Sequence, residues 1–402
     1  MAKDDPSGLL ELAAAVARAR VTGLLDVFLE RRTDAWWHLS DGRIASREVL
    51  LREGAAVRRD GTLCSADGLE RPILARLLGI TARVLPPFSA PAFAEPPSLE
   101  AALPFPPVSW ASVRWSWRWA AVLVGGRAVG IHAPELAEVT LPDGHRSLTV
   151  WPPAPEAGGV KRPTSSGPRP RAGRTCVLLA PAAAAVLLHE LVGHPLEADR
   201  VRRGASPQPR RPGERLFEVP LSVADDPTRF ELPGSFSADD EGESAGARDL
   251  LTAGLVVGAL ADREGAAALG VAPGNARRAT VHARPRPRIS NLIARADGAL
   301  PAPPRREAAI EIGTLASGTH EPASGAIMLR VRTAWALRRG ERSRSLAPFT
   351  LVGSASALRS GLLAAAEPAV ATAAPGWCAK DGEVVPTGAI APWLLLSGLE
   401  VR

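Results

Sequence analysis

The chain has no tyrosine, two methionines and three cysteines in 402 residues, and its only lysines are Lys3, Lys161 and Lys380. Each scarcity excludes something. Cys64, Cys176 and Cys378 are odd in number and far apart, so no disulfide framework is expected. The longest apolar run, Val177 to Leu188, is interrupted by Pro181 and is too short to cross a bilayer. Asp4, Asp5 and Glu11 stand where a secretory leader would carry basic residues. Together these features predict a cytoplasmic protein without a membrane segment. With so little lysine, the net charge of +6 is carried almost wholly by arginine, in a chain also rich in glycine (37) and proline (38). Such uniform enrichment is a compositional bias rather than a basic surface, and no nucleic-acid partner is expected.

What is present is an ordinary globular composition, 46% hydrophobic and 22% charged. The length predicts two or three domains. Residues 7–31 carry an apolar stripe (Leu9, Leu12, Val16, Leu24, Val27, Phe28) behind a capping Ser7, and read as an amphipathic helix containing Gly23. Residues 35–39 and 48–57 read as strands, and 69–78 as a helix. Residues 86–107 and 152–174, rich in proline, read as linkers. Between them, Val113 to Trp119 alternates strictly, with Trp115, Trp117 and Trp119 toward a core and Arg114 and Arg118 toward water. Further short strands around the Pro142-Asp143-Gly144 turn complete a small sheet. After 175, strands are expected at 176–179, 215–222, 249–258, 279–283, 308–314 and 325–335. The fold class is therefore α+β. An N-terminal helix-plus-sheet domain (1–85) and a small middle antiparallel sheet (108–152) precede a β-rich C-terminal catalytic domain (175–402) carrying a metal-binding helix.

That helix starts at Pro181 and contains His189-Glu190-Leu191-Val192-Gly193-His194. Histidines four apart would share one face of a regular helix; five apart they stand about 140° from each other. To hold one metal the helix must end, widen or bulge, which Gly193 and Pro195 permit. Two imidazoles suit zinc, and Glu190 can take a proton from a metal-activated water. A catalytic zinc needs a third protein ligand, and the residue types leave Glu197, Asp199, His282, His320 and Cys378 open. Lys380 lies near enough to Cys378 in sequence to favour its thiolate. His38, His132, His145 and His320 otherwise read as surface or packing residues, and Asp239-Asp240-Glu241 as a capped turn.

Leu187 to Asp199, with its trailing Leu196-Glu197-Ala198-Asp199, resembles the signature helix of the TldD/PmbA metallopeptidases. So does Cys378-Ala379-Lys380-Asp381-Gly382-Glu383-Val384-Val385-Pro386-Thr387-Gly388 at the C-terminal end. Asp239-Asp240-Glu241-Gly242 and Pro287-Arg288-Ile289-Ser290-Asn291 fall in the family's order between them. The departures are Pro195 and Ala379, each in place of a glycine, and a trimmed first domain. The resemblance implies zinc held by His189, His194 and Cys378, with Glu190 as general base. It also implies an extended peptide substrate near Arg288, Ser290, Asn291 and His282, and a homodimer or a heterodimer with a PmbA-like subunit. The alternative it leaves is a non-catalytic partner subunit that keeps a metal site.

Overall fold

Gly23 decides how the chain begins. In the computed structural model, which describes residues 8–41, 43–98, 110–141, 146–152, 167–204, 211–321 and 323–402, the helix expected over 7–31 stops early. Helix α1 (Leu9–Arg18) is followed by Gly23 at φ 69° and then by strand β1 (Leu24–Ser40). Val27, Phe28 and Leu29 are buried in succession because both faces of β1 are covered. A strand covered on both sides loses its alternation, so its period cannot be told from a helix. The Ser7 cap, Gly42, His145, the Pro142-Asp143-Gly144 turn, Arg162, Arg210 and the stretches 99–107 and 153–166 lie outside the described residues.

Strands β2 (Arg43–Arg59) and β3 (Thr62–Asp67) pair in sequence with β1, and helix α2 (Arg71–Leu78) packs over them. The separate middle sheet is a correction. Strand β4 (Trp110–Val124) pairs antiparallel with β1 along Val27–Ser40, and β5 (Arg127–Ile131), β6 (Leu136–Thr140) and β7 (Arg146–Val150) follow it. The result is one seven-stranded sheet, β3-β2-β1-β4-β6-β7 with β5 on β4. Turn chemistry identifies the hairpins but not the pairing of β1 with β4, whose partners are remote in sequence. One face of this sheet carries α1 and α2 over Leu12, Val27, Leu29 and Leu74. The other lies against the C-terminal half, where Phe28, Ala120 and Val122 meet Phe236, Ala238 and Val281.

Among the described residues the C-terminal sheet has eleven strands. In chain order they are β8 (Gly173–Leu179), β9 (Leu221–Asp225), β10 (Arg248–Thr252), β11 (Leu255–Val256), β14 (Asn291–Ala296), β15 (Ile310–Glu321), β16 (Ala326–Arg338), β17 (Glu341–Leu346), β18 (Phe349–Ser354), β19 (Leu362–Lys380) and β20 (Glu383–Val401); β12 (Ala276–Arg277) and β13 (Arg286–Pro287) form a ribbon of their own. No strand forms at 279–283, where one was expected. Strand β20 pairs with both β18 and β8, so β20-β18-β16-β15-β8 close on themselves. Around this closure sits the largest core, joined by helix α3 (Pro181–Leu188) through Ala184, Leu187 and Leu188. The α+β class expected from sequence is what the structure shows. Among the described residues no helix is long and apolar enough to cross a membrane.

Candidate metal centre

Strand β8 leads through Ala180 into α3, with Pro181 at its first position and every residue but Ala182 buried. At His189 the helix widens into a π-turn (His189–Gly193), then tightens into a 3-10 turn (His194–Leu196). The backbone N–H of His194 donates to the carbonyl of His189. That bond stacks residues five apart, so the two imidazoles meet at 4.7 Å between ring centroids, at 84°. Gly193 makes the turn possible: a methyl there would stand 2.4 Å from Cδ1 of Ile289.

The third member comes from β19, where Cys378 pairs with Val385 of β20. Its Sγ lies 3.6 Å from Nε2 of His194. The ligand atoms of His189, His194 and Cys378 all lie within 4.8 Å of one another, in residues no more than 5% exposed. Burial alone would raise the Cys378 thiol, but His194 and His189 beside it hold it well below its ordinary value. Burial alone would lower His194; Glu197 and the Cys378 sulfur push it up to about 10. Surroundings that favour a proton so strongly favour a metal cation at the same place. Two imidazoles and a thiolate form a donor set that fits zinc.

A second layer fixes these three. Glu197, fully buried, sets Oε1 3.1 Å from Nδ1 of His194 and takes Lys380 (2.9 Å) and Arg200 (3.2 Å) on Oε2. Burial works against its charge, but His194 and Lys380 bring it down to about 2. Lys380 also donates to Asp199 (2.8 Å) and to the carbonyl of Pro287 (3.0 Å). Lys380 thus serves the two carboxylates, and the thiolate is favoured by the histidines.

The expected substrate contacts are placed elsewhere. Arg288 is fully buried and donates to the carbonyl of Cys378 at 2.5 Å, holding the ligand's backbone. Ser290 is bound by both its N–H and its hydroxyl to Asp225 (2.8 and 2.6 Å). Asn291 donates to Ser235 and accepts from the amide of Gly234. None of the three is exposed, so they brace the site rather than line it. His282 sits at the surface between Ser65 (3.0 Å) and Asp67 (3.1 Å) of β3.

What lines the open side is a cleft of about 600 Å³ between the two sheets. Glu190 and His194 form its floor, Glu138 and Trp377 one wall, and Thr314 to His320 of β15 the other. Burial raises the Glu190 carboxyl above its ordinary value, against the pull of His189 and His194. Gly318 lets β15 approach, since a methyl there would meet Val186 at 2.8 Å and Glu190 at 3.1 Å. His320, two residues along on the same face of the strand, lines the cleft and is not the packing residue that its sequence context suggests. Burial and the charge of Arg200 push it down to about 4, and neither ring nitrogen has a hydrogen-bond partner among the described residues. Its one sequence signal was its place in the list of possible ligands.

The arginines of β4 are also a correction: they are half-buried and ion-paired rather than turned to water. Arg118 joins Glu30 (2.7 Å) to Asp240 (2.8 Å) across the two halves of the chain. Arg58 joins Asp26 to Glu241 in the same way. Asp239 accepts the amides of Glu241, Glu243 and Ala276, which makes the expected turn, while its two neighbours dock the N-terminal sheet. Trp377 extends the junction to the site: its Nε1 donates to Glu138 at 2.8 Å, and Arg114 and Arg146 lie 5.7 and 5.6 Å from its ring centroid.

Comparison with known proteins follows the same outline. Residues 172–402 match the PmbA/TldA metallopeptidase C-terminal domain. The chain is 28% identical over 243 residues to the metalloprotease TldD homolog of Haemophilus influenzae, covering 57% of this chain and 48% of that one. It is 29% identical over 231 residues to a metalloprotease of Archaeoglobus fulgidus, covering 56% and 52%. The chain thus spans about half the length of the curated relatives it matches. The crystal structure of TldE from Thermococcus kodakarensis superposes with a TM-score of 0.72 over 98% of this chain and all of that one, at 15% identity, which establishes the shared fold. With the C-terminal match covering more than half its length, the chain belongs to the TldD/PmbA family of metallopeptidases.

Proposed function

We propose that this chain is a zinc-dependent peptidase, cytoplasmic, that hydrolyses unfolded peptides or small precursor peptides. The observation that carries this reading is the meeting of His189, His194 and Cys378 beside Glu190 on the floor of an open cleft. Zinc held by those three residues would supply a Lewis acid for the scissile carbonyl and acidify a water. Glu190 takes the proton of the attacking water and hands it to the leaving amine. A carboxyl raised by burial suits a group that must accept and then release one proton. Glu197 keeps His194 in the tautomer that leaves Nε2 for the metal, and Arg288 fixes Cys378 through its carbonyl.

The wall of the cleft supports an extended substrate. Strand β8 covers β15 only at Ile310–Ile312, so from Gly313 to Glu321 that edge is unpaired among the described residues. A peptide adding itself as a strand there would run past Glu190 with its backbone bonded and its side chains free. A second subunit, identical or PmbA-like, belongs to this reading. The rival is the non-catalytic partner subunit that retains its metal.

Zinc content and hydrolysis of an unfolded peptide, measured together, separate the two. Wild type should hold near one zinc per chain and Cys378→Ser far less. Glu190→Gln should keep its zinc and lose roughly 10²–10⁴ in rate. If Glu190→Gln changes nothing while zinc is bound, the metal is structural and the partner-subunit reading takes over.

A further inference from the structure

Trp377 also lines a second cavity, of about 80 Å³, at the junction of the two halves. Five arginines line it (Arg32, Arg114, Arg118, Arg277 and Arg278) against two aspartates, Asp239 and Asp240. Three of the arginines are neutralised: Arg114 by Asp34, Arg118 by Glu30 and Asp240, Arg32 by a share of Glu30. Asp239 is spent on backbone amides, and burial pushes it up to about 7. Asp26 and Glu241, just beyond, are taken by Arg58.

That leaves Arg277 and Arg278, 8% and 2% exposed, whose guanidinium groups make no ion pair among the described residues; Asp240 accepts only the backbone N–H of Arg278, at 2.7 Å. Arg277 reaches only the carbonyls of Ile289 (2.6 Å) and Pro386 (2.8 Å). Arg278 has none of its three guanidinium nitrogens hydrogen-bonded; it stacks on the Phe28 ring at 4.0 Å, with Asp240, Asp26 and Glu30 near enough to attract it but not to pair with it. Burial pushes both guanidinium groups down to about 10, so both remain charged at neutral pH. A buried, unpaired cation with five idle donors is costly and is normally matched by a counter-charge.

We infer that this cavity is an anion site that takes a single small oxyanion, a carboxylate or a phosphate group, with Arg278 as its principal donor. The volume admits such a group and is too small for a peptide segment. A planar guanidinium binds either oxyanion in bidentate fashion. Because Trp377 walls both this cavity and the cleft, the anion has two sources: a carboxylate carried by a bound peptide, or a free ion of the medium. The inference does not depend on the metal or on catalysis.

The test is calorimetric titration of the full-length protein with inorganic phosphate and with acetate, at constant ionic strength set by chloride, beside Arg278→Met and Arg278→Lys. Saturable binding is expected in wild type, at least tenfold weaker in Arg278→Met and partly restored in Arg278→Lys. In chloride alone Arg278→Met should melt no lower than wild type, because it removes a buried charge whose guanidinium makes no hydrogen bond or ion pair there. A peptide with a free terminal carboxylate that competes with phosphate, where its amide does not, assigns the site to substrate; failure of both assigns it to the free ion. Absence of saturable binding in wild type, or equal binding in Arg278→Met, overturns the inference. Either result stands apart from peptide hydrolysis, which can succeed or fail independently.

Discussion

The metal centre and the domain junction are both buried and both crowded with charge, yet they are balanced in opposite ways. At the centre Glu197 carries three cations at once, and Lys380 divides itself between Glu197 and Asp199. At the junction Arg58, Arg118 and Arg114 each hold carboxylates, and Arg277 and Arg278 are left over. One network has no cation to spare; the other has two. Breaking a buried pair is expensive mainly because the surviving charge stays buried alone. The same deletion should therefore cost much at the centre and little at the junction.

The largest effect is expected for Lys380→Met. It leaves Glu197 fully buried beside an Asp199 that keeps only Arg203 at 3.9 Å, a loss of about 3–5 kcal/mol by urea unfolding of the metal-free protein. Glu197 would also hold His194 less firmly, weakening zinc roughly 10- to 100-fold in a chelator competition. A variant as stable as wild type would mean that Arg200 suffices for Glu197, and the contrast between the regions would fall.

Gly193→Ala comes next and probes geometry rather than charge. The new methyl would meet Ile289 at 2.4 Å, so about 1–3 kcal/mol should be lost, with zinc affinity falling alongside. Ile289→Val removes Cδ1 but leaves Cγ1 at 2.9 Å, so it should return only part of both. Loss of stability without loss of zinc would show that the π-turn tolerates a shift and does not set the ligand geometry.

The centre was partly legible in the sequence because His189, Glu190 and His194 sit within one turn, and their spacing of five demands a distorted helix. The distortion found is of the expected kind, a widened turn eased by Gly193. Cys378 lies 184 residues further on, and chemistry alone left it among five alternatives. Its strand was not legible either. The alanines and prolines of 362–380 look like loop, and are tolerated because, among the described residues, β20 is the only strand β19 pairs with, its other edge meeting just Leu300 in a single bridge. Arg288, Ser290 and Asn291 form a polar run of the kind that suggests a groove. Their burial depends on Asp225 and the Cys378 carbonyl, 65 and 90 residues away, which no local pattern reveals. The junction was read backwards for the same reason. Strict alternation in 113–119 correctly gave a strand, but period alone cannot say whether its polar face meets water or another sheet.

Arg118→Met should have the smallest effect, although it removes two short ion pairs at once. Glu30 keeps Arg32 within reach at 3.4 Å and has Arg278 nearby, and the carboxyl of Asp240 still receives the amide of Arg278. A side-chain shift of Arg278 toward the vacated oxygens would replace most of what is lost. The methionine meanwhile keeps an apolar chain in place of the arginine stem, although the guanidinium contact with the Phe28 ring at 5.6 Å is lost. The expected loss is about 1 kcal/mol, the scale of one net hydrogen bond rather than of a broken buried pair. In Arg278→Met that reserve is gone, so adding Arg118→Met there should cost more than in wild type. A positive coupling between the two substitutions, measured by a double-mutant cycle in urea, would locate the spare charge in Arg278. Strict additivity would mean that the surplus does not relax across the junction, and that its two halves are held as rigidly as the metal centre.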